Sequence, residues 1–246
     1  MYSETWVIVG ASRGIGLEFT KQLLEGGQKV IAGVRNPSAA KELLELCRSS
    51  PDRCVVEQCD VTSEESINAT LCPQGSGSQQ KWDESEKHCS KCWRAQISQP
   101  SNGNILCGFC SSLAHQYNWT HLESPPTKVV FISSDSGSAT LFRSYEDGFA
   151  AYAASKAALN QMIRHMAAEL ARCEGKRNKI CILAMHPGEV QTDMANIEVD
   201  WEVEGMIQAD ESVKDMLKVI GEKNENDSGT FWCWNGKVSD LLQILD

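Results

Sequence analysis

The sequence has no excess of basic charge. Its 23 Lys and Arg are outnumbered by 33 Asp and Glu, giving a net charge of -10. A general nucleic-acid binder needs a basic stripe to neutralise phosphates, so that class is excluded, although a local basic pocket for one phosphate is not. No apolar run approaches the roughly 18 residues of a membrane span, so no membrane-embedded role is expected. The opening stretch, MYSETWVIVGASRG, lacks a basic segment leading into a long apolar one, so a secretory signal is not expected either. Cysteine, by contrast, is plentiful: there are 11, an odd number. Without a secretory signal these should be mostly reduced thiols in a cytoplasmic setting. The glycosylation triplets at Asn68, Asn118 and Asn226 then carry no meaning. Hydrophobic content of 41% over 246 residues is ordinary for one globular domain spanning 1–246.

The first sixty residues alternate in period. TWVIV (5–9) is a short β-rich run that ends at Gly10. GASRGIG follows, and Ile15, Phe19 and Leu23 then recur at helical spacing up to Gly26-Gly27. KVIAGVR reads as a second strand, SAAKELLELC as a second helix behind Pro37, and CVVEQCDV as a third strand. This β-α-β-α-β order predicts a Rossmann-like, doubly wound parallel sheet with right-handed crossovers.

Gly10, Gly14 and Gly16 sit in the first strand-to-helix turn. Glycine there permits a tight turn and lets backbone N–H groups approach a pyrophosphate at the positive end of the helix. NAD binders of this kind carry an acid about 20 residues on, for the ribose 2′-hydroxyl. Here the second strand ends at Arg35, and Arg13 lies inside the glycine loop. Two guanidinium groups suit a 2′-phosphate by charge and fork geometry, which favours NADPH over NADH. Asp60, at the end of the third strand, can accept from an adenine amino group or cap the helix that follows; both readings stay open.

A second informative stretch spans 127–170. TKVVFISS is a strand ending in Ser133 and Ser134, and the polar loop DSGSATLFRSYEDG follows it. Then FAAYAASKAALNQMIRHMAAELA reads as a long helix. Tyr152 and Lys156 lie four apart and share a face. A free tyrosine has a pKa of about 10. An adjacent ammonium would lower it and make the phenol a usable acid or base. Ser134, at the carboxyl end of the neighbouring strand, can bond a substrate carbonyl.

Together these residues resemble the short-chain dehydrogenase/reductase family. GASRGIG looks like its cofactor loop, Asp60-Val61 like its adenine-contacting pair, and ISS with YAASK like its Ser, Tyr and Lys set. KICILAMHPGEVQTDM looks like its sixth strand and the loop behind it. The long Ser–Tyr loop, HPGEVQTDM, ESVKDMLKVI and SGTFWCWNGK are most similar to the C-factor-like branch, related to small carbonyl reductases. The resemblance implies an oxidoreductase moving a hydride between NADP(H) and a small carbonyl or alcohol substrate. It implies catalytic roles for Ser134, Tyr152 and Lys156. It implies cofactor contacts from Gly10, Ser12, Arg13, Gly14, Ile15, Gly16, Arg35, Asp60, Val61, Tyr152, Lys156, Pro187, Gly188, Val190 and Thr192. Many relatives pair through the helix that bears the tyrosine and through its neighbour, so a homodimer is implied only if that neighbour is present.

The pattern breaks at 71–126, a segment rich in Ser, Gln, Cys and Trp. The family's fourth strand, its Asn-Asn-Ala-Gly sequence and the next helix are not recognisable there, and the only short apolar run is near Ile105–Cys110. Three readings are open: a mistranslated or alternatively spliced stretch replacing strand and helix, a divergent insertion, or a four-thiolate zinc site from Cys89, Cys92, Cys107 and Cys110. Two alternative functions follow, a non-catalytic nucleotide-binding or signalling relative and a zinc-bearing interaction module. Beyond it, 194–211 is acidic and contains Trp201 and Met206; the resemblance implies a substrate-side loop and helix, and a solvated acidic loop is the other reading. VKDMLKVIGEK reads as an amphipathic helix and GTFWCWNGK as a last strand turning at Asn235-Gly236. Phe231, Trp232 and Trp234 are expected in the core or at a subunit interface.

Overall fold

The computed structural model describes residues 4–63, 66, 126–142, 149–172, 179–191 and 205–238, and the backbone of 103–107. Its strands are β1 (Thr5–Val9), β2 (Lys29–Val34), β3 (Cys54–Gln58), β4 (Gly103–Cys107), β5 (Lys128–Ile132), β6 (Cys181–His186) and β7 (Thr230–Cys233). Its α-helices among the described residues are α1 (Gly14–Glu25), α2 (Lys41–Arg48), α3 (Ala150–Ala171) and α4 (Ala209–Glu222). The strands form one sheet in the order β3-β2-β1-β4-β5-β6-β7, and every neighbouring pair is parallel.

Period-two alternation assigns each strand's side chains to two cores. Val7, Val9, Val129, Phe131, Ile182 and Ala184 pack with Leu159, Ile163, Met166 and Leu170 of α3. Trp6, Ile8, Val130, Ile132, Leu183 and Met185 pack on the other side with α1, α2 and α4 through Phe19, Leu23, Leu43, Val213 and Met216. The sheet is therefore covered on both faces, as all-parallel sheets require. No helix among the described residues is long and apolar enough to cross a membrane.

One expectation is overturned here. The fourth strand is not replaced: β4 fills the centre of the sheet, in register with β1 (Val7 opposite Ile105) and with β5 (Ile105 opposite Val129). A central parallel strand is shielded by helices on both faces and needs no polar alternation, so five residues inside a polar stretch leave little pattern to recognise. The helix expected after it falls outside the described residues.

Smaller departures concern α4 and the cysteines. Helix α4 starts at Ala209, four residues ahead of the Val213 start read from periodicity. Cys47 and Cys54 are joined in a disulfide that ties the last turn of α2 to the start of β3, with Cα atoms 5.1 Å apart. Cys59, Cys181 and Cys233 are thiols. The chain runs outward through β1, β2 and β3, then returns beside β1 at β4 and builds the other way. The crevice for a ligand in such a sheet lies at that reversal, over the carboxyl ends of the strands.

Candidate active site

Two layers meet above those strand ends. The first is the turn from β1 into α1. Gly10 takes a φ of 90°, and its N–H donates to the Gly33 carbonyl at 2.9 Å. A Cβ on Gly16 would overlap the Gly10 carbonyl, so only glycine lets the helix start this close to the strand end. Helix α1 has no acid in its first turn and no side-chain capping bond at Arg13. Its leading N–H groups and the positive end of its dipole suit an anion. Ser12, Arg13 and Gly14 are exposed around it, and Ile15 and Gly16 are half-buried. This cradle fits a pyrophosphate on its geometry alone.

Arg35 is exposed just beyond β2. The Asp60 carboxyl is held below its usual range, first by the Thr62 N–H and hydroxyl (3.0 and 2.8 Å) and then by the nearby Arg35 charge. Of its two readings, these contacts support capping of the segment that follows. Val61 packs against the core beneath α3.

The second layer joins the end of β5 to α3. Asp135–Gly137 form a 3-10 turn, and a Cβ on Gly137 would lie 2.8 Å from the Ala157 nitrogen and from the Lys156 carbonyl carbon. The turn is thus seated on the helix at the level of Lys156. One helical turn on, the buried Ser133 hydroxyl donates to Asn160 Oδ1 at 2.6 Å. These two ties hold the Ser134 turn beside the helix that bears Tyr152. Ser134 is buried and also accepts from the Ser136 N–H at 3.2 Å. Lys156 is 4% exposed; its ammonium donates to the Ile132 carbonyl at 3.0 Å and lies 5.6 Å from the centre of the Tyr152 ring.

The expected direction for Tyr152 is corrected by this environment. Its phenol is raised above 10, chiefly because burial penalises the phenolate. The Ser134 hydrogen bond pulls the other way, while the charges of Glu189 and Asp135 raise it further.

The loop after β6 completes the rim. Gly188 has a φ of 83°, and a Cβ there would meet the Trp234 indole at 2.8 Å and the Ile207 side chain at 2.9 Å. Pro187 is buried, and its carbonyl accepts from the fully buried Ser212 hydroxyl of α4 at 2.6 Å. Val190 is buried and bridges to Ile207. Thr192 and Trp201 lie outside the described residues, and Met206 is exposed. Of the aromatic trio, Phe231 is in the core. The Lys223 ammonium sits 3.4 Å from the centre of the Trp232 ring, and Trp234 backs the Gly188 loop.

Three groups were missed in the sequence. Asp135, His186 and Glu189 place their oxygen and nitrogen atoms within 4.8 Å of one another, with His186 Nε2 3.7 Å from Asp135 Oδ1. Their available signal was adjacency: Asp135 follows Ser134, and Glu189 follows Gly188. Such spacing is common among acids without an ion, and no other feature among the described residues marks a metal centre there. Of the zinc set, Cys107 ends the central strand β4, while Cys89, Cys92 and Cys110 lie outside the described residues.

The short chain dehydrogenase family model matches residues 4–73 and 95–203, reaching across both layers of the site. The chain belongs to this family. An uncharacterized oxidoreductase of Schizosaccharomyces pombe is 29% identical over 96% of this chain and 97% of its own. The C-signal protein of Myxococcus xanthus is 37% identical over 44% of this chain and 58% of its own. Among solved structures, the NADPH-bound carbonyl reductase from chicken fatty liver aligns with a TM-score of 0.70 at 27% identity, covering 97% of this chain and 99% of that one. The carbonyl reductase Sniffer of D. melanogaster shares the fold at a TM-score of 0.63 and 20% identity, over 96% and 99% of the two chains.

Proposed function

We propose that this dehydrogenase is an NADP(H)-dependent reductase of small carbonyl compounds, with Tyr152 as its acid. The observation that carries the reading is the seating of the Ser134 turn on α3. Gly137 packs against Lys156 and Ala157, and that contact aligns one hydroxyl, one phenol and one ammonium at the carboxyl end of β5. The similarity to an NADPH-bound carbonyl reductase over nearly the whole chain supports the same cofactor and substrate class.

Nicotinamide, when bound in its reduced form, supplies the hydride. The chain's own residues do the rest. Ser12, Gly14, Ile15 and Gly16 would present backbone N–H groups to the pyrophosphate, and Gly10 shapes the turn beneath them. Arg13 and Arg35 take the 2′-phosphate as a charge pair. Asp60 and Val61 would border the adenine, and Pro187, Gly188 and Val190 would border the nicotinamide end. Ser134 donates to the substrate carbonyl oxygen, and Tyr152 passes its proton to that oxygen as charge develops there. Lys156, anchored to the Ile132 carbonyl, holds positive charge beside the phenol and reaches the cofactor ribose.

The test is NADPH oxidation by purified protein with a panel of aldehydes and ketones. Tyr152→Phe should abolish turnover, and Ser134→Ala should lower it by about 10²- to 10⁴-fold. Turnover unchanged in Tyr152→Phe would overturn the mechanism.

A further inference from the structure

Three elements converge on the Ser134–Tyr152 pair from the side of the sheet's carboxyl ends. The turn after β5 brings Asp135, the last residue of β6 is His186, and the loop beyond Gly188 brings Glu189. The carboxylates and imidazole lie within 4.8 Å of one another, and Asp135 Oδ1 is 3.7 Å from His186 Nε2 and 3.4 Å from the Ser134 hydroxyl. The same hydroxyl belongs to the turn that Gly137 seats on α3 at Lys156, one helical turn from Tyr152. The two carboxylates are thus gathered at the strand ends beside the helix that bears the phenol.

We propose that Asp135 and Glu189 are positioning residues that help hold the proton on Tyr152, and so raise the pH at which the site passes from a proton-donating form to a proton-accepting form. The proposal rests on Tyr152 being the acid of the reaction. In reduction, the Tyr152 O–H bond breaks and its proton forms the new O–H bond of the alcohol while the hydride reaches carbon. The phenolate left behind regains its proton from solvent. In the reverse direction the phenolate must exist first, to take the alcohol's proton as the oxidised nicotinamide takes the hydride. Two negative charges beside the phenol disfavour that phenolate.

Among the described residues, the groups acting on the phenol are few. From its own helix comes Lys156, whose ammonium favours the phenolate, and Phe149, whose ring meets that of Tyr152 edge-on at 6.3 Å. From the turn after β5 come the Ser134 hydroxyl, which favours the phenolate, and the Asp135 carboxylate, which opposes it. From the end of β6 come His186, placed against Asp135, and Glu189, which also opposes the phenolate. Burial is the largest cause, the two carboxylates add to it, and the phenol sits above its ordinary range. The sign is therefore fixed: neutralising a carboxylate must lower the pH of the transition.

The experiment uses Asp135→Asn, Glu189→Gln and the double variant, with Glu222→Gln on the exposed end of α4 as a charge control. Two readouts are taken. In the protein without cofactor, phenolate absorbance is titrated against pH, with Tyr152→Phe subtracted to isolate Tyr152. In the presence of cofactor, kcat/KM for reduction and for alcohol oxidation is profiled against pH. The expected result is a Tyr152 midpoint about 1 unit lower in each single variant and lower still in the double. The alkaline limb of reduction and the rising limb of oxidation should move with it, while Glu222→Gln moves nothing. Folded variants, checked by thermal melting, whose phenolate midpoint does not move would overturn the proposal. Because Glu189 stands in a loop, Glu189→Gln keeps the test alive if Asp135→Asn fails to fold. A protein that titrates as expected but never turns over would refute the proposed reductase function instead, so the two failures are distinguishable.

Discussion

Gly137 shapes the candidate site as much as the hydroxyl it positions. Its missing Cβ lets the turn after β5 rest on the backbone of α3, where an added carbon would lie 2.8 Å from the Lys156 carbonyl carbon. Gly137→Ala must therefore push Ser134 away from Tyr152 or bend the helix. Overpacking of this kind costs about 1–3 kcal/mol. We expect a measurable drop in Tm and a larger loss in kcat/KM, because a displaced Ser134 hurts chemistry more than folding. A variant with full activity would show that the turn's seat is not what aligns the pair. At this scale the site was unevenly legible. Ser134, Tyr152 and Lys156 could be read because each is tied to a local pattern, a strand end or a four-residue helical step. Asp135 and Glu189 could not, because their meaning arises only when β5 and β6 lie side by side. The direction of the Tyr152 shift was misread for the same reason: the lysine four residues away is visible in sequence, whereas burial and two distant carboxylates are not.

Elements explain how the rim of the site is held. Helix α4 reaches the loop after β6 through one buried bond, from Ser212 to the Pro187 carbonyl. Ser212→Ala would leave that buried carbonyl without its donor, at a cost of about 1–3 kcal/mol. The expected outcome is a lower Tm together with a raised KM for NADPH, because the proposed cofactor site puts Pro187 and Gly188 at the nicotinamide end. A lower Tm with KM unchanged would separate the loop from cofactor binding. The strand β4 shows the limit of element-level reading. Its neighbours β1 and β5 were recognisable as apolar runs, but five residues inside a polar, cysteine-rich stretch were not. The sheet itself supplies the missing information, since β1 and β5 cannot pair with each other across an empty position without leaving edges exposed. Backbone amides of 103–107 should accordingly exchange with solvent as slowly as those of β1 and β5, near the limit set by global unfolding. Rapid exchange confined to 103–107 would mean that the centre of the sheet is not closed in solution.

The molecule as a whole is acidic, and that sets a problem for an anionic cofactor. With a net charge of -10, its long-range field repels a dinucleotide phosphate, so attraction must be local. The structure offers such a place: the start of α1 has no acid in its first turn, and Arg13 and Arg35 stand exposed around it. A ligand that binds only the folded chain stabilises it, by about 2.7 kcal/mol at 100 times its Kd. NADPH should therefore raise Tm more than NADH at equal concentration. The difference between the two isolates the 2′-phosphate, because every other contact is shared. Replacing Arg13 and Arg35 together with alanine should shrink the NADPH shift toward that of NADH while leaving the NADH shift nearly intact. Added salt should do the same to the wild type, since exposed charge pairs are screened. Equal shifts for the two cofactors in the wild type would remove the two arginines from cofactor selection. They would leave the glycine cradle, which recognises only the shared pyrophosphate, as the part of the chain that binds the nucleotide.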